Sequence, residues 1–285
     1  MNHLGANASL ATLATLAVQP IGVFDSGLGG LSILQALRAE LPCEDFVYIA
    51  DSGHAPYGER DDAHVLTRSR AITRYLRDQH NVKAMVIACN TATASAIDLL
   101  RLENPGFPIV GVEPALRPAA NLSRTQRIGV MATRGTLASA RFRTLLDSVP
   151  GPVEFICQPC DGLAEAIEQT LQTGDATNLI ANCARYTRGM GPFGQNNGQI
   201  DTLVLGCTHY PFAQMHLRDL VGPDIHLIST GEPVARQTQR LLQAGAKLRP
   251  SGAGQLKLGT TGPQTFLEQA AAQWLAWRGE ALSIQ

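Results

Sequence analysis

The chain has 285 residues, 45% of them apolar and 16% charged, with a formal net charge of −1. That length suits about two domains, and the apolar share can build a core in each, so a disordered chain is excluded. The near-zero charge excludes a broadly basic nucleic-acid binder, and no run supplies the roughly 20 apolar residues of a membrane span.

The six cysteines, at 43, 89, 157, 160, 183 and 207, are scattered and do not make a disulfide framework, so free thiols and a cytoplasmic setting are expected. Residues 1–19 hold an apolar stretch with no Lys or Arg ahead of it and no good small-x-small cleavage site. They read as a disordered extension rather than an export signal.

From Ile21 onward, short β-rich runs alternate with helical patterns. Strands are predicted over 22–24, 46–50, 84–88, 109–112, 128–131, 153–156, 203–206, 225–228 and 256–258. Helical period fills the gaps. In 61–79, Val65, Ile72, Tyr75 and Leu76 share a face, and in 161–172, Leu163, Ala166, Ile167 and Leu171 do the same. Arg68, Arg70, Arg74 and Arg77 point elsewhere and read as a solvated helix face in preference to a phosphate site. Alternation of this kind predicts an α/β fold of parallel sheets covered by helices, with ligands at the strand carboxyl ends.

The chain also echoes itself. Ile21-Gly22-Val23-Phe24-Asp25-Ser26-Gly27 returns as Ile128-Gly129-Val130-Met131-Ala132-Thr133-Arg134. Val86-Ile87-Ala88-Cys89-Asn90-Thr91 returns as Val204-Leu205-Gly206-Cys207-Thr208-His209. The offsets, 107 and 118 residues, suit one ancestral unit used twice. Each half then supplies a strand ending in a small residue, a cysteine, and polar residues that open a helix. Two such halves facing each other bring both cysteines to a single cleft. The expected fold is therefore a pair of pseudo-symmetric three-layer α/β domains with mainly parallel sheets and the active site between them.

A thiol at a strand's end, ahead of a helix N-terminus, feels the positive end of the helix dipole, which favours thiolate. A free thiol of pKa ~8.5 is only a few per cent ionised at pH 7, a deficit of roughly 2 kcal/mol. The dipole returns ~0.3–1 kcal/mol of that, and a neighbouring proton acceptor can supply the rest. His209 stands two residues after Cys207, and Asp25 ends the first strand. As a bare anion Asp25 would raise a nearby thiol's pKa, so its useful role is as a hydrogen-bond partner for the thiol proton. Either cysteine alone reads as a buried small hydrophobe; the matched pair reads as chemistry.

Two opposed thiols suit inversion of a stereocentre, because a single base retracing its path only restores the starting configuration. Ser26, Asn90, Thr91 and Thr208 offer donors for a substrate carboxylate beside a carbanionic carbon, joined by helix N-terminal amides. No lysine in these motifs can form a Schiff base and no dinucleotide fingerprint appears, so no cofactor is expected. Asp25-Ser26-Gly27-Leu28-Gly29-Gly30 lacks the ending of a phosphate loop, and its glycines read as permitting close backbone approach to a ligand. Cys157-Gln158-Pro159-Cys160 has metal or redox spacing, but nothing completes the set, and no metal is expected.

With these residues in view, the chain resembles the glutamate racemases, a family of cofactor-independent amino-acid racemases. The segments that carry the likeness are FDSGLGGLSIL (24–34), YIADSGHAPYGER (48–60), VIACNTATASA (86–96), GVEPA (111–115), GVMATRGTLAS (129–139) and LVLGCTHYPF (203–212). Aspartate racemases share similar cysteine motifs; the Pro56-Tyr57-Gly58 turn and the Gly206–Pro211 segment favour glutamate.

The resemblance implies that Cys89 takes the α-proton of D-glutamate and Cys207 that of L-glutamate. Asp25 and His209 are implied as their respective assistants, both within reach of the substrate. Ser26, Tyr57, Gly58, Asn90, Thr91 and Thr208 match residues that hold the amino and carboxylate groups, and Thr133 and Thr136 match a segment lining the same cleft. A family glutamate lies eight residues after a cysteine-proline pair. That spacing from Cys160 lands on Glu168, but this chain reads Cys160-Asp161-Gly162, which leaves the role of Glu168 open.

Two domains are implied, 20–112 together with 230–285, and 113–229. Glutamate is the implied small-molecule substrate, and D-glutamate for peptidoglycan the implied product. Neither direct nucleic-acid contact nor a membrane partner is implied. A homodimer and activation by a UDP-linked peptidoglycan precursor are further expectations from the family. The alternatives are an aspartate racemase or related isomerase and, from another class, a non-catalytic homologue that binds a ligand or a partner such as DNA gyrase. Loss of either cysteine would mark that last reading, and both are present.

Overall fold

The computed structural model describes residues 17–284, so the expectations for residues 1–16 and for Gln285 lie outside the described residues. Residues 17–19, expected in the disordered extension, are among the described ones. Ala17 is buried, and its carbonyl accepts a hydrogen bond of 2.6 Å from Lys83 Nζ. The cause is the buried lysine. It is ion-paired with Glu44 in the interior, and an ammonium taken out of water needs acceptors for all its protons.

Among the described residues, ten strands fall into two wholly parallel sheets. The first contains β1 (Ile21–Asp25), β2 (Phe46–Ala50), β3 (Ala84–Ile87), β4 (Ile109–Gly111), β9 (Leu256–Thr260) and β10 (Leu282–Ser283), in the order β10-β9-β2-β1-β3-β4. The second contains β5 (Arg127–Ala132), β6 (Glu154–Pro159), β7 (Thr202–Leu205) and β8 (His226–Ile228), in the order β6-β5-β7-β8. The run β2-β1-β3-β4 therefore recurs as β6-β5-β7-β8. The echo in the sequence is an echo in topology: the strand ahead of Cys89 and the strand ahead of Cys207 hold equivalent central places.

Each sheet is covered on both faces. Alternation along β2 sends Phe46, Tyr48 and Ala50 to one core and Val47 and Ile49 to the other. The first face packs α1 (Leu31–Glu40), and the second packs α2 (Asp62–His80) and α3 (Asn90–Glu103). In the second sheet, Ile128 and Val130 face α4 (Leu116–Leu122), with α5 (Arg134–Ala138) and α6 (Ala140–Asp147) following β5. Its opposite face packs α7 (Leu163–Thr173), α8 (Thr177–Met190) and α9 (Gln214–Val221). Two last helices, α10 (Gly231–Ala244) and α11 (Gln264–Leu275), return to the first sheet's outer core.

Several contacts join the halves. Ser32 Oγ donates to the Thr208 carbonyl at 2.7 Å, Gln269 Nε2 donates to the Leu171 carbonyl at 2.7 Å, and Phe212 stacks on Trp274 at 3.7 Å between ring centroids. One member of the arginine run departs from the solvated face. Arg68 is half-buried and donates to Asp51 through Nε and a terminal nitrogen, each at 2.9 Å.

Candidate active site

The carboxyl ends of β1, β3, β5, β6 and β7 open on a cavity of about 400 Å³. Every site residue singled out from the sequence lines it except Thr136. Thr136 sits behind Thr133, bonded to its hydroxyl at 2.9 Å, because Thr133 caps the start of α5. Thr133 in turn meets Thr91 from the other half at 3.2 Å. Glu168 does reach the cleft, on the inner face of α7.

The two thiols sit in different surroundings. Cys89 is the N-cap of α3: its Sγ accepts from the Ala92 amide at 3.4 Å and lies 3.5 Å from Ser26 Oγ. Asp25 is buried beside it, with Oδ2 accepting from the Gly30 and Gly27 amides at 2.8 and 3.3 Å, while Oδ1 has no partner. Burial raises the Asp25 carboxyl above its usual range, against the pull of the His209 charge and the loop amides. Burial, and then the Asp25 charge, push the Cys89 thiol up to about 12. The lowered thiol expected from a helix dipole is thus not met here. A dipole contribution of ~0.3–1 kcal/mol is small beside the loss of water around a fully buried sulfur.

No α-helix opens directly after Cys207. A short 3-10 turn, Tyr210–Ala213, follows, and the sulfur's partner is His209 Nδ1 at 3.8 Å. His209 Nε2 lies 2.7 Å from Glu168 Oε1, which also accepts from the Leu28 amide at 3.3 Å. Burial disfavours charge on His209, but the hydrogen bonds to Cys207 and Glu168 outweigh it and hold the imidazole well above its usual range. Glu168 resists burial through the same pair and is held below the usual carboxylate range. Both directions favour the imidazolium–carboxylate form of the pair.

Glycines make that packing fit. A Cβ on Gly29 would lie 2.3 Å from His209 Nδ1, and one on Gly30 would lie 2.6 Å from the Asp25 Cβ. Gly29 and Gly30 thus admit the imidazole and the aspartate, while Gly27 of the same loop lines the cavity.

Sequence reasoning missed Asp51. It accepts from the Tyr57 phenol at 2.5 Å, from Arg68 twice, and from Thr261 at 2.8 Å, and it lies 3.0 Å from His54 Nδ1. The Tyr57 hydroxyl is thereby committed, so its ring and the Gly58 backbone are what line the cleft. The available signal was a carboxylate placed directly after the wholly buried strand β2. Burial opposes the Asp51 charge, but Arg68, Tyr57 and Thr261 outweigh it and hold the carboxyl below its ordinary value. A depressed folded-state pKa means that the unfolded chain takes up the proton first. Its stabilisation is full above the ordinary carboxylate range and fades as pH falls through the folded value. Asp51→Asn should cost ~3 kcal/mol in urea unfolding at pH 7, with a smaller gap at pH 3; an equal gap at both pH values would refute this account.

Two like α/β halves each bring a thiol to a shared cleft. The chain belongs to the Asp/Glu/Hydantoin racemase family, whose model matches residues 31–238. It is 49% identical over 225 residues to the glutamate racemase of Pseudomonas entomophila, covering 78% of this chain and 81% of that protein. It is 46% identical over 229 residues to that of Methylococcus capsulatus, covering 80% and 81%. Among solved structures, a glutamate racemase of Bacillus anthracis superposes with a TM-score of 0.83 at 29% identity, covering 94% of this chain and 97% of that one. The Escherichia coli glutamate racemase, in complex with L-glutamate and the activator UDP-MurNAc-Ala, gives 0.80 at 29% identity, covering 93% and 97%.

Proposed function

We propose that this protein is a glutamate racemase that interconverts L- and D-glutamate through Cys89 and Cys207, without a cofactor, and supplies D-glutamate for peptidoglycan in the cytoplasm. The observation that carries the reading is the pair of thiols on one small cavity in unlike surroundings, Cys89 beside Ser26 and the buried Asp25 and Cys207 beside His209. In the L-to-D direction the Cys207 thiolate takes the α-proton, its charge compensated by His209. Cys89, resting as a thiol, returns a proton to the opposite face, and Asp25 then governs its reprotonation. The D-to-L direction exchanges these roles.

The orphaned acceptors Asp25 Oδ1 and Asn90 Oδ1 are buried on the same wall and suit the substrate ammonium. Backbone amides and the hydroxyls of Ser26, Thr91 and Thr208 serve the carboxylate, where charge builds as the carbanion forms. The two bodies that close on the substrate are 20–112 with 230–285, and 113–229. Glu168 acts as a positioning residue that keeps His209 charged. Raising pH through the folded pKa of His209 removes its proton, and loss of Glu168 lowers that pKa. Glu168→Gln should therefore move the alkaline limb of the pH–rate profile to lower pH; an unmoved limb would remove Glu168 from this role.

Circular dichroism of D-glutamate with purified protein and no added cofactor tests the function directly. Decay of the signal to zero is expected, and a constant signal overturns the reading. Faster turnover of aspartate than of glutamate would favour the aspartate racemase alternative. Repeating the assay with UDP-MurNAc-Ala tests activation by a peptidoglycan precursor, which we infer from the Escherichia coli relative. A homodimer belongs to the same reading.

A further inference from the structure

We propose that Arg134 is the substrate-capture residue of the cleft, its guanidinium exchanging Asp161 for a carboxylate of the incoming amino acid. The proposal rests on the racemase reading and adds to it a residue to which the resemblance gave no role.

The argument begins with the charges on the wall. Asp25, Glu59, Asp161, Glu165 and Glu168 place five carboxyl groups around the cavity. Against them stand His209, already engaged by Glu168 and Cys207, and Arg134, the one lysine or arginine among the described residues that line it. A dicarboxylic amino acid is a net anion and must enter against that field. Arg134 holds Asp161 at 2.5 Å, but both side chains are largely exposed, at 67% and 52%. Exposed ion pairs contribute little in water, so the guanidinium can change partner at small cost. The same contact made inside the cleft, with water displaced, is stronger and takes the planar two-pronged form that arginine and carboxylate share.

Its place also fits. Arg134 is the first residue of α5, next to Thr133, which touches Thr91 of the other half. A Cβ on the following residue, Gly135, would lie 3.5 Å from the Gly58 carbonyl. The guanidinium thus stands at the seam where the two halves meet over the cavity.

Initial rates for Arg134→Gln, Arg134→Lys and Asp161→Asn, taken over a range of glutamate and salt concentrations, test this. Arg134→Gln should raise KM about tenfold, with a smaller fall in kcat. It should also flatten the decline of kcat/KM with ionic strength shown by the wild type. Arg134→Lys should recover part of the loss, and Asp161→Asn, by removing the competing carboxylate, should lower KM. A KM for Arg134→Gln within about twofold of wild type overturns the proposal. So does an equal loss in Arg134→Gln and Asp161→Asn, the mark of a pair that only braces the turn. A wild-type protein that leaves glutamate unchanged would defeat the racemase reading itself, a result distinct from either.

Discussion

Cys89→Ala and Cys207→Ala should each lower racemisation by at least ~10³-fold, because each removes one of two groups that must act on opposite faces of the same carbon. The residual chemistry should differ between them. Cys89→Ala keeps the sulfur that faces His209, so it should wash deuterium into L-glutamate while leaving D-glutamate untouched. Cys207→Ala keeps the sulfur beside Asp25 and should exchange D-glutamate alone. The asymmetry can show only in exchange. Enantiomers have equal free energies in solution, so kcat/KM must be identical in the two directions for any variant that still racemises. Proton NMR of the α-hydrogen in deuterated buffer reads this directly, and loss of the signal from both enantiomers in either variant would dismiss the two-thiol assignment.

Gly29→Ala should be nearly as damaging, although it removes no chemical group. The new methyl would stand 2.3 Å from His209 Nδ1 and 2.6 Å from Cε1, distances at which something must move. The loop backbone is tied down on both sides, by the Gly30 amide on Asp25 and the Leu28 amide on Glu168, so the imidazole is what gives way. Its contacts with Cys207 and Glu168 are then lost. A displacement of about 1 Å at a reacting group can cost 10²-fold, and a loss of that order is expected, with ~1–3 kcal/mol of stability from overpacking. Near-wild-type turnover in this variant would mean that His209 is not needed where the fold holds it.

Much of this molecule was legible beforehand because parallel strands buried on both faces are written as short apolar runs. All nine strands read from the chain occur within a few residues of their expected limits. The tenth, Leu282–Ser283, is two residues long, too short to carry a period. α7 starts two residues later than its apolar spacing predicts, because Gly162 takes a left-handed conformation (φ 75°) ahead of it. Motif reading located the cavity wall but not what each group does there. Nothing in the order of residues says that the Tyr57 phenol is turned onto Asp51, or that one arginine of a surface run leaves its face to join them. Nor does spacing foretell that Cys89 is pushed up rather than down, since that depends on how much water the finished fold leaves around the sulfur.

On the proposed mechanism, the sulfur that caps α3 holds two posts at once. As a helix cap it is a poor choice: the Ala92 amide reaches it at 3.4 Å, where a serine oxygen would accept a shorter and stronger bond. As a carbon-acid base it is far better than that oxygen, being softer and much more acidic. Folding and turnover thus ask for different atoms at one position, and the chain has settled for the one that leaves its own helix less well fastened.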